Sequence, residues 1–309
     1  MAEPRWGIVA TIKAPVDDIL RFAAHHLDLG AHRLFIYLDD DNRAAFDALK
    51  RHPKCRPQLT GPEYWRKLGF RRRAKHQSRQ FENARHAYGR ATGQVDWLAH
   101  IDVDEFIWPD RPLAAQLAGL PDDCLCARLR PAEALAGDGP AQYFKTLTLD
   151  RAQRAAQGRA LWPEYAGALN GGFLSHVAGK MIYRTGIEGL RVQIHNVFVH
   201  DAMNPGEVTL TGSHLLHCHA ETWGAFRAAL PYRLQHGSYR AELKPAQPGG
   251  ETLHQLFSRL QDQGDAALRR FHDSVCAADP PLLAALRAEG LLLQADLALE
   301  AKRRKHFDV

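Results

Sequence analysis

The chain has 309 residues, 45% of them hydrophobic and 24% charged, with a formal net charge of +5. That balance is that of a folded chain with a sizeable core, in one large domain or two small ones, and it excludes a disordered or collagen-like polypeptide. The mild positive charge fits an anionic ligand or surface without calling for nucleic acid.

Residues 7–12 (GIVATI) form a β-branched run that predicts a buried strand. Pro15 suits the start of a helix to about Leu29, with Ile19, Leu20, Ala23, Ala24 and Leu27 on one face and Gly30 as its stop. Residues 34–38 (LFIYL) predict a second strand, which ends in Asp39-Asp40-Asp41-Asn42. A helix over 44–51 and a strand over 55–59 follow, then a polar-faced helix over 75–91 and a strand over 97–101. Strands alternating with helices predict an α/β fold with a mostly parallel central sheet flanked by helices.

Past residue 110 the pattern changes. Strands are predicted at 124–129, 181–183, 197–199 and 215–219, with long loops within 131–180. Helices are predicted over 222–235, 251–262, 265–277 and 281–304, the last broken at Gly290, and Pro245, Pro248, Gly249 and Gly250 read as a linker. The expected organisation is an α/β domain over 1–220 and a helical C-terminal subdomain over 221–309.

Five scattered cysteines, odd in number, argue against a disulfide framework and for a reducing compartment. Cys124-x-Cys126 has no second pair with which to hold zinc. No apolar run approaches the ~20 residues of a membrane span, and MAEPRWGIVA lacks a signal-peptide core. The expected location is the cytoplasm.

In open α/β sheets ligands bind outside the carboxyl ends of the strands. Lys13, Asp39 to Asn42 and Asp102 to Glu105 all follow predicted strands. In HIDVDEF (100–106), Asp102 and Asp104 at a strand end can aim two carboxylates at one hard cation, Mg²⁺ or Mn²⁺, which would neutralise a diphosphate. The competing reading is a solvated acidic turn with Glu105 paired to a basic side chain. His217 and His219, two apart on a predicted strand, share a face and could join a metal shell of mixed O and N ligands, which favours Mn²⁺; ordinary structural histidines are the alternative.

The basic stretch WRKLGFRRRAKHQSRQ (65–80) offers Arg73 and its neighbours for diphosphate capture near a helix N-terminus, or for attraction to an anionic membrane surface. A solvated helix face is the plainer account. Asp39 could accept a hydrogen bond from a base or ribose, while Asn42 suits a helix N-cap. Lys180 could reach a phosphate, although a surface lysine is the default. No GxGxxG, P-loop or nucleophile elbow is present.

The segment ATIKAP…ILRFAAHHLDLGAHRLFIYLDDDN, the Gln77-bearing helix and DWLAHIDVDEFIWP together resemble family-2-like bacterial glycosyltransferases of GT-A fold, over about residues 6–110. GKMIYR, HNVFVH and LLHCHAETWGAF resemble later segments of that family more loosely, and residues 131–175 depart from it. The resemblance implies Asp102 and Asp104 as the metal-binding Asp-x-Asp on the diphosphate of a nucleotide-sugar, UDP-linked. It implies Thr11, Lys13, Asp39 and Gln77 as lining the nucleotide, and His217 or His219 as completing the shell of Mn²⁺ or Mg²⁺. Glu133 and Asp138, on an expected loop, are the candidate bases toward a saccharide or other hydroxyl acceptor. The expected partners are this donor and acceptor, with peripheral contact to an anionic membrane and no nucleic acid. Two rival readings are a two-metal hydrolase or phosphoesterase and a non-catalytic sugar-nucleotide-binding module.

Overall fold

The computed structural model describes residues 3–140, 142–247 and 249–307; Met1, Ala2 and the linker residue Pro248 lie outside the described residues. Strands β1 (Trp6–Ile12), β2 (Arg33–Leu38), β3 (Cys55–Leu59) and β4 (Trp97–His100) are linked by α1 (Val16–Asp28), α2 (Arg43–Arg51), α3 (Pro62–Lys67) and α4 (His76–Ala91). Next come β5 (Glu105–Pro109), α5 (Leu113–Ala118) and the long β6 (Cys126–Ala134), then β7 (Tyr143–Lys145) and α6 (Arg151–Leu161). They are followed by β8 (Lys180–Arg184), β9 (Leu190–Val192), β10 (Val197–Val199), β11 (Ala202–Met203) and β12 (Val208–His217). The chain finishes with α7 (Trp223–Gln235), α8 (Leu253–Asp262), α9 (Asp265–Val275), α10 (Pro280–Ala288), β13 (Leu292–Gln294) and α11 (Leu299–Phe307).

Two compact units are interleaved along this order. One comprises the residues up to Arg130, Ala178–Leu215 and those from Ala298 on; the other comprises Pro131–Val177 and Leu216–Leu297. A single division at residue 220 therefore does not describe the chain. Residues 131–177 fold with the later helices, and the last helix returns to the first unit.

In the first unit β4, β1, β2 and β3 are parallel neighbours, with Val9 opposite both Phe35 and His100. All seven residues of β1 are buried, as a parallel strand covered on both faces requires. Beyond β4 the sheet turns antiparallel, through β8 and then β6, so the parallel order expected from sequence covers its first half. Gly179 (φ 73°) lets β8 start close against β6, since a Cβ there would collide with the Leu129 carbonyl.

The His25-His26 pair of α1 has a structural task. The Ile107 N–H of β5 donates to His26 Nε2 (3.3 Å), so His26 holds its proton on Nδ1 and donates it to Phe22 O (2.8 Å). His25 Nε2–H donates to Ile107 O (2.9 Å), and its Nδ1 accepts from Lys302 of α11 (3.3 Å). Both rings are thus neutral clamps that fasten β5, and the acidic turn before it, to α1. Burial first, then the charge of Lys302, pushes the His25 pKa down from 6.5 to about 4, and His26 is lowered in the same direction.

A folded pKa below the unfolded one means the unfolded chain takes up the proton first. Stability is therefore full above pH 6.5 and is lost as pH falls toward 4, by about 3 kcal/mol for His25 alone. Unfolding midpoints measured from pH 7 to 4.5 should fall, and His25→Gln should flatten that slope by about one proton. An equal slope in the variant would contradict the neutral-clamp assignment.

In the second unit β6, β7 and β13 pair antiparallel, and a core of Phe226, Phe257, Phe271, Leu256 and Tyr239 is filled from α7 and the turn after it, α8 and α9. The predicted 281–304 helix is three elements instead. Gly290 (φ 68°) ends α10, and the apolar run after it pairs as β13 with β7 (Leu293↔Phe144). Residues 131–180 are more ordered than expected, holding the end of β6, β7 and α6. The short α3 was not foreseen; six residues carry too little periodicity. All five cysteines are free. Among the described residues no helix is long and apolar enough to cross a membrane.

Candidate functional site

The parallel pairing brings the carboxyl ends of β2, β1 and β4 side by side, so Lys13, Asp39 and the Asp102–Glu105 turn leave the sheet at one edge. HIDVDEF is a tight turn. The Glu105 N–H donates to Asp102 O (3.1 Å), and the Asp102 N–H donates to Glu105 Oε2 (2.8 Å). Glu105 is thereby the first, buried residue of β5.

A lysine compensates part of this acidic cluster. The antiparallel register of β8 on β4 (Ala99↔Ile182) carries Lys180 to the end of β4. There its ammonium lies 2.5 Å from Asp102 Oδ2 and 3.2 Å from Glu105 Oε2. Lys180 is 2% exposed. Burial works against its charge, yet Asp102 and Glu105 overcome that and raise its pKa above that of a free lysine. The other oxygen of Asp102 accepts from Gln80 Nε2 of α4 (2.5 Å). Asp102 is therefore braced from two elements. Asp104, the second member of the Asp-x-Asp, follows within the turn. His100, behind it, is buried; desolvation and then Lys180 push its pKa down to about 4.

Asp39 is anchored too. Its carboxylate takes Arg79 Nη2 (2.6 Å) and Nε (2.8 Å), Arg72 Nη2 (3.0 Å) and His76 Nδ1 (3.2 Å). Burial would raise its pKa, but the hydrogen bonds from His76 and Arg79 and the charges of Arg79 and Arg72 hold it well below the carboxylate range. Much of the basic stretch 65–80 thus serves to fold the segment before α4 onto β2. Arg73 pairs with Glu82 (3.3 Å), while Lys13, Arg71, Lys75 and Gln77 are exposed. Thr11 is buried and accepts from Asn83 Nδ2 (3.0 Å). Asn42 caps α2 through the Ala45 N–H (3.0 Å). A cleft of about 820 Å³ opens beside the ends of β2 and β3, lined by Asp39, Asp40, Arg43, Tyr64, Lys67 and Arg72. Its volume suits a small-molecule ligand.

In the second unit His217 ends β12 and His219 follows it, both half-buried, with ring centroids 5.0 Å apart. A ring nitrogen of each lies within 4.8 Å of the other, close enough for both to ligate one cation. Glu133 is on β6 and not on a loop. It accepts from the N–H groups of Leu174 (3.1 Å) and Ser175 (2.8 Å) and pairs with Lys145 (3.1 Å). Burial would raise its pKa, but the charges of Lys145 and His219 and these donors pull it down to about 2. That is the profile of a structural anion. Asp138, the other carboxylate considered as a base, is exposed in a bend after β6.

Sequence reasoning missed Gln80, Arg79 and the partners of Lys180. Gln80 stood one helical turn from the Gln77 that was singled out, on the buried face of α4. Lys180 opens an apolar strand, a poor place for a surface lysine, and that was the available signal.

No protein-family model matches the chain. No curated protein matches it. Among solved structures it is similar to HddC from Yersinia pseudotuberculosis, at 10% identity and a TM-score of 0.28 over 69% of this chain and 76% of that one. So distant a likeness carries no argument about activity, which must rest on the residues themselves.

Proposed function

We propose that the chain is a metal-dependent glycosyltransferase, moving a sugar from a nucleotide-sugar, UDP-linked, to a hydroxyl acceptor. One observation carries this reading: the carboxyl ends of three adjacent parallel strands bring Lys13, Asp39 and the Asp102–Glu105 turn to one sheet edge. The resemblance of residues 6–110 to the GT-A glycosyltransferases supports it. In this reading the Asp-x-Asp turn supplies carboxylate oxygen to a divalent cation, Mn²⁺ or Mg²⁺. Such a cation, when bound, lends Lewis-acid charge to the leaving diphosphate. Asp102 keeps its bonds to Lys180 and Gln80 and holds the turn in place, and the exposed Lys13 answers remaining phosphate charge.

Asp104→Ala should remove Mn²⁺-dependent binding of UDP, measured by calorimetry, while leaving the metal-free melting temperature near that of the parent chain. One Mn²⁺ per chain is expected, whereas two would favour a hydrolase. Undiminished Mn²⁺-dependent UDP binding in the variant would sink the assignment.

A further inference from the structure

Parallel pairing also brings the amino ends of the strands together, at the edge of the first unit opposite Lys13, Asp39 and the Asp102–Glu105 turn. β2 lies between β1 and β3, with Gly7 opposite Arg33 and Phe35 opposite Arg56. The His32 N–H donates to Trp6 O (2.7 Å) and the Leu34 N–H to Lys54 O (3.1 Å). Arg5, Arg33, Lys54 and Arg56 are therefore set side by side on strands about 4.8 Å apart. α2 must return to this edge for β3 to start, and it ends there in the exposed Lys50 and Arg51. The end of α11 joins the row, with His306 on His52 (ring centroids 5.8 Å apart).

Carboxylates answer only part of this charge. Asp96 takes Arg5 (3.3 Å), and Asp28 takes Lys305 and His306. Arg33 donates to Gln94 Oε1 (3.1 Å) and His32 O (2.7 Å), and Arg56 to Pro53 O (2.7 Å) and Cys55 O (2.8 Å), so neutral oxygens hold both guanidinium groups. The cations oppose one another. After burial, the charges of Arg56 and Arg5 lower the pKa of Arg33, and those of Arg33, Arg5 and Lys54 lower that of His32. An anionic partner would relieve this repulsion. A duplex is read by an element that enters a groove, and single strands by exposed rings on which bases stack. This edge consists of strand starts and helix ends. Among the described residues the exposed large apolar side chains are Leu149, Met203 and Tyr232, none in these segments. Lipid headgroups need charge alone. We propose that the edge formed by these strand starts docks the chain on an anionic lipid surface through Arg5, Arg33, Arg51, Lys54 and Arg56, leaving the carboxyl ends of the same strands uncovered. This holds whether or not the opposite edge transfers sugar.

The test uses the whole chain and vesicles of phosphatidylcholine, alone or mixed with phosphatidylglycerol, separated by sedimentation. The parent chain should bind the mixed vesicles, leave them as salt is raised, and ignore the neutral ones. Lys54→Gln/Arg56→Gln should partition about 30-fold more weakly, with a melting temperature near the parent's. Lys50→Gln/Arg51→Gln, on the exposed end of α2, should weaken binding by a similar factor without touching a strand. Arg71→Gln/Lys75→Gln, at the carboxyl edge, should bind as the parent does. Parent-like binding by both variants of the strand-start edge, a loss confined to Arg71→Gln/Lys75→Gln, or no preference for the anionic vesicles would overturn the proposal. Retention of the parent by duplex DNA at a salt concentration where the mixed vesicles release it would assign the edge to nucleic acid and overturn it as well.

Discussion

Lys145→Met is expected to lower the unfolding free energy by about 3–5 kcal/mol, seen as an earlier denaturant midpoint. The ammonium is fully buried, pairs with Glu133 at 3.1 Å, and donates to the carbonyls of Gly172 (2.5 Å) and Val275 (2.9 Å). Its removal leaves a carboxylate that is 2% exposed without its counter-charge, and two carbonyls without a donor. The size of the effect comes from that stranded charge, because the intact pair gains little beyond its own desolvation. The double variant Glu133→Gln/Lys145→Met should therefore be less destabilised than Lys145→Met alone. A double variant at least as damaged as the single one would show that ring and chain packing, and not the charge, sets the cost.

The second large effect is expected at Lys180. Lys180→Met removes the ammonium that Asp102 and the 5% exposed Glu105 share across the turn. A loss of about 3–5 kcal/mol should follow. Unlike the Lys145 case, part of the loss should be recovered by millimolar Mg²⁺ or Ca²⁺, since an ion bound only by the folded chain stabilises it by mass action. Thermal unfolding of parent and variant with and without the ion checks this. A variant that melts like its parent would mean that Asp102 and Glu105 do not depend on the lysine.

Both predictions concern residues that the sequence presented in another light. Lys180 read as a surface lysine able to reach phosphate, and Glu133 as a base on a loop. Each carries a charge whose partner is far along the chain: Asp102 is 78 positions before Lys180, and Lys145 reaches Glu133 only because β6 and β7 pair at that register. Charge partners of this kind leave no local trace, because the same residue type serves a solvated surface and a buried pair. The His25-His26 pair was noticed only as part of a resemblance, and its clamp on Ile107 needed the packing of α1 on β5 to become visible.

What the sequence determined alone was the part governed by short-range pattern. The buried runs of β1, β2 and β4, the apolar face of α1 with Gly30 behind it, and the Asn42 cap all follow from side-chain periodicity and backbone preference over a few residues. The placing of polar clusters at strand ends was legible for the same reason. The tertiary structure decided which of those polar groups answer one another. It gave Lys180 and Gln80 to Asp102, Arg79 and Arg72 to Asp39, and Tyr239 to His219, and it turned the expected last helix into α10, β13 and α11. The physical reason is that buried charges and hydrogen bonds are selected by strand register and helix packing, which bring distant residues within 3 Å only once the whole chain has folded.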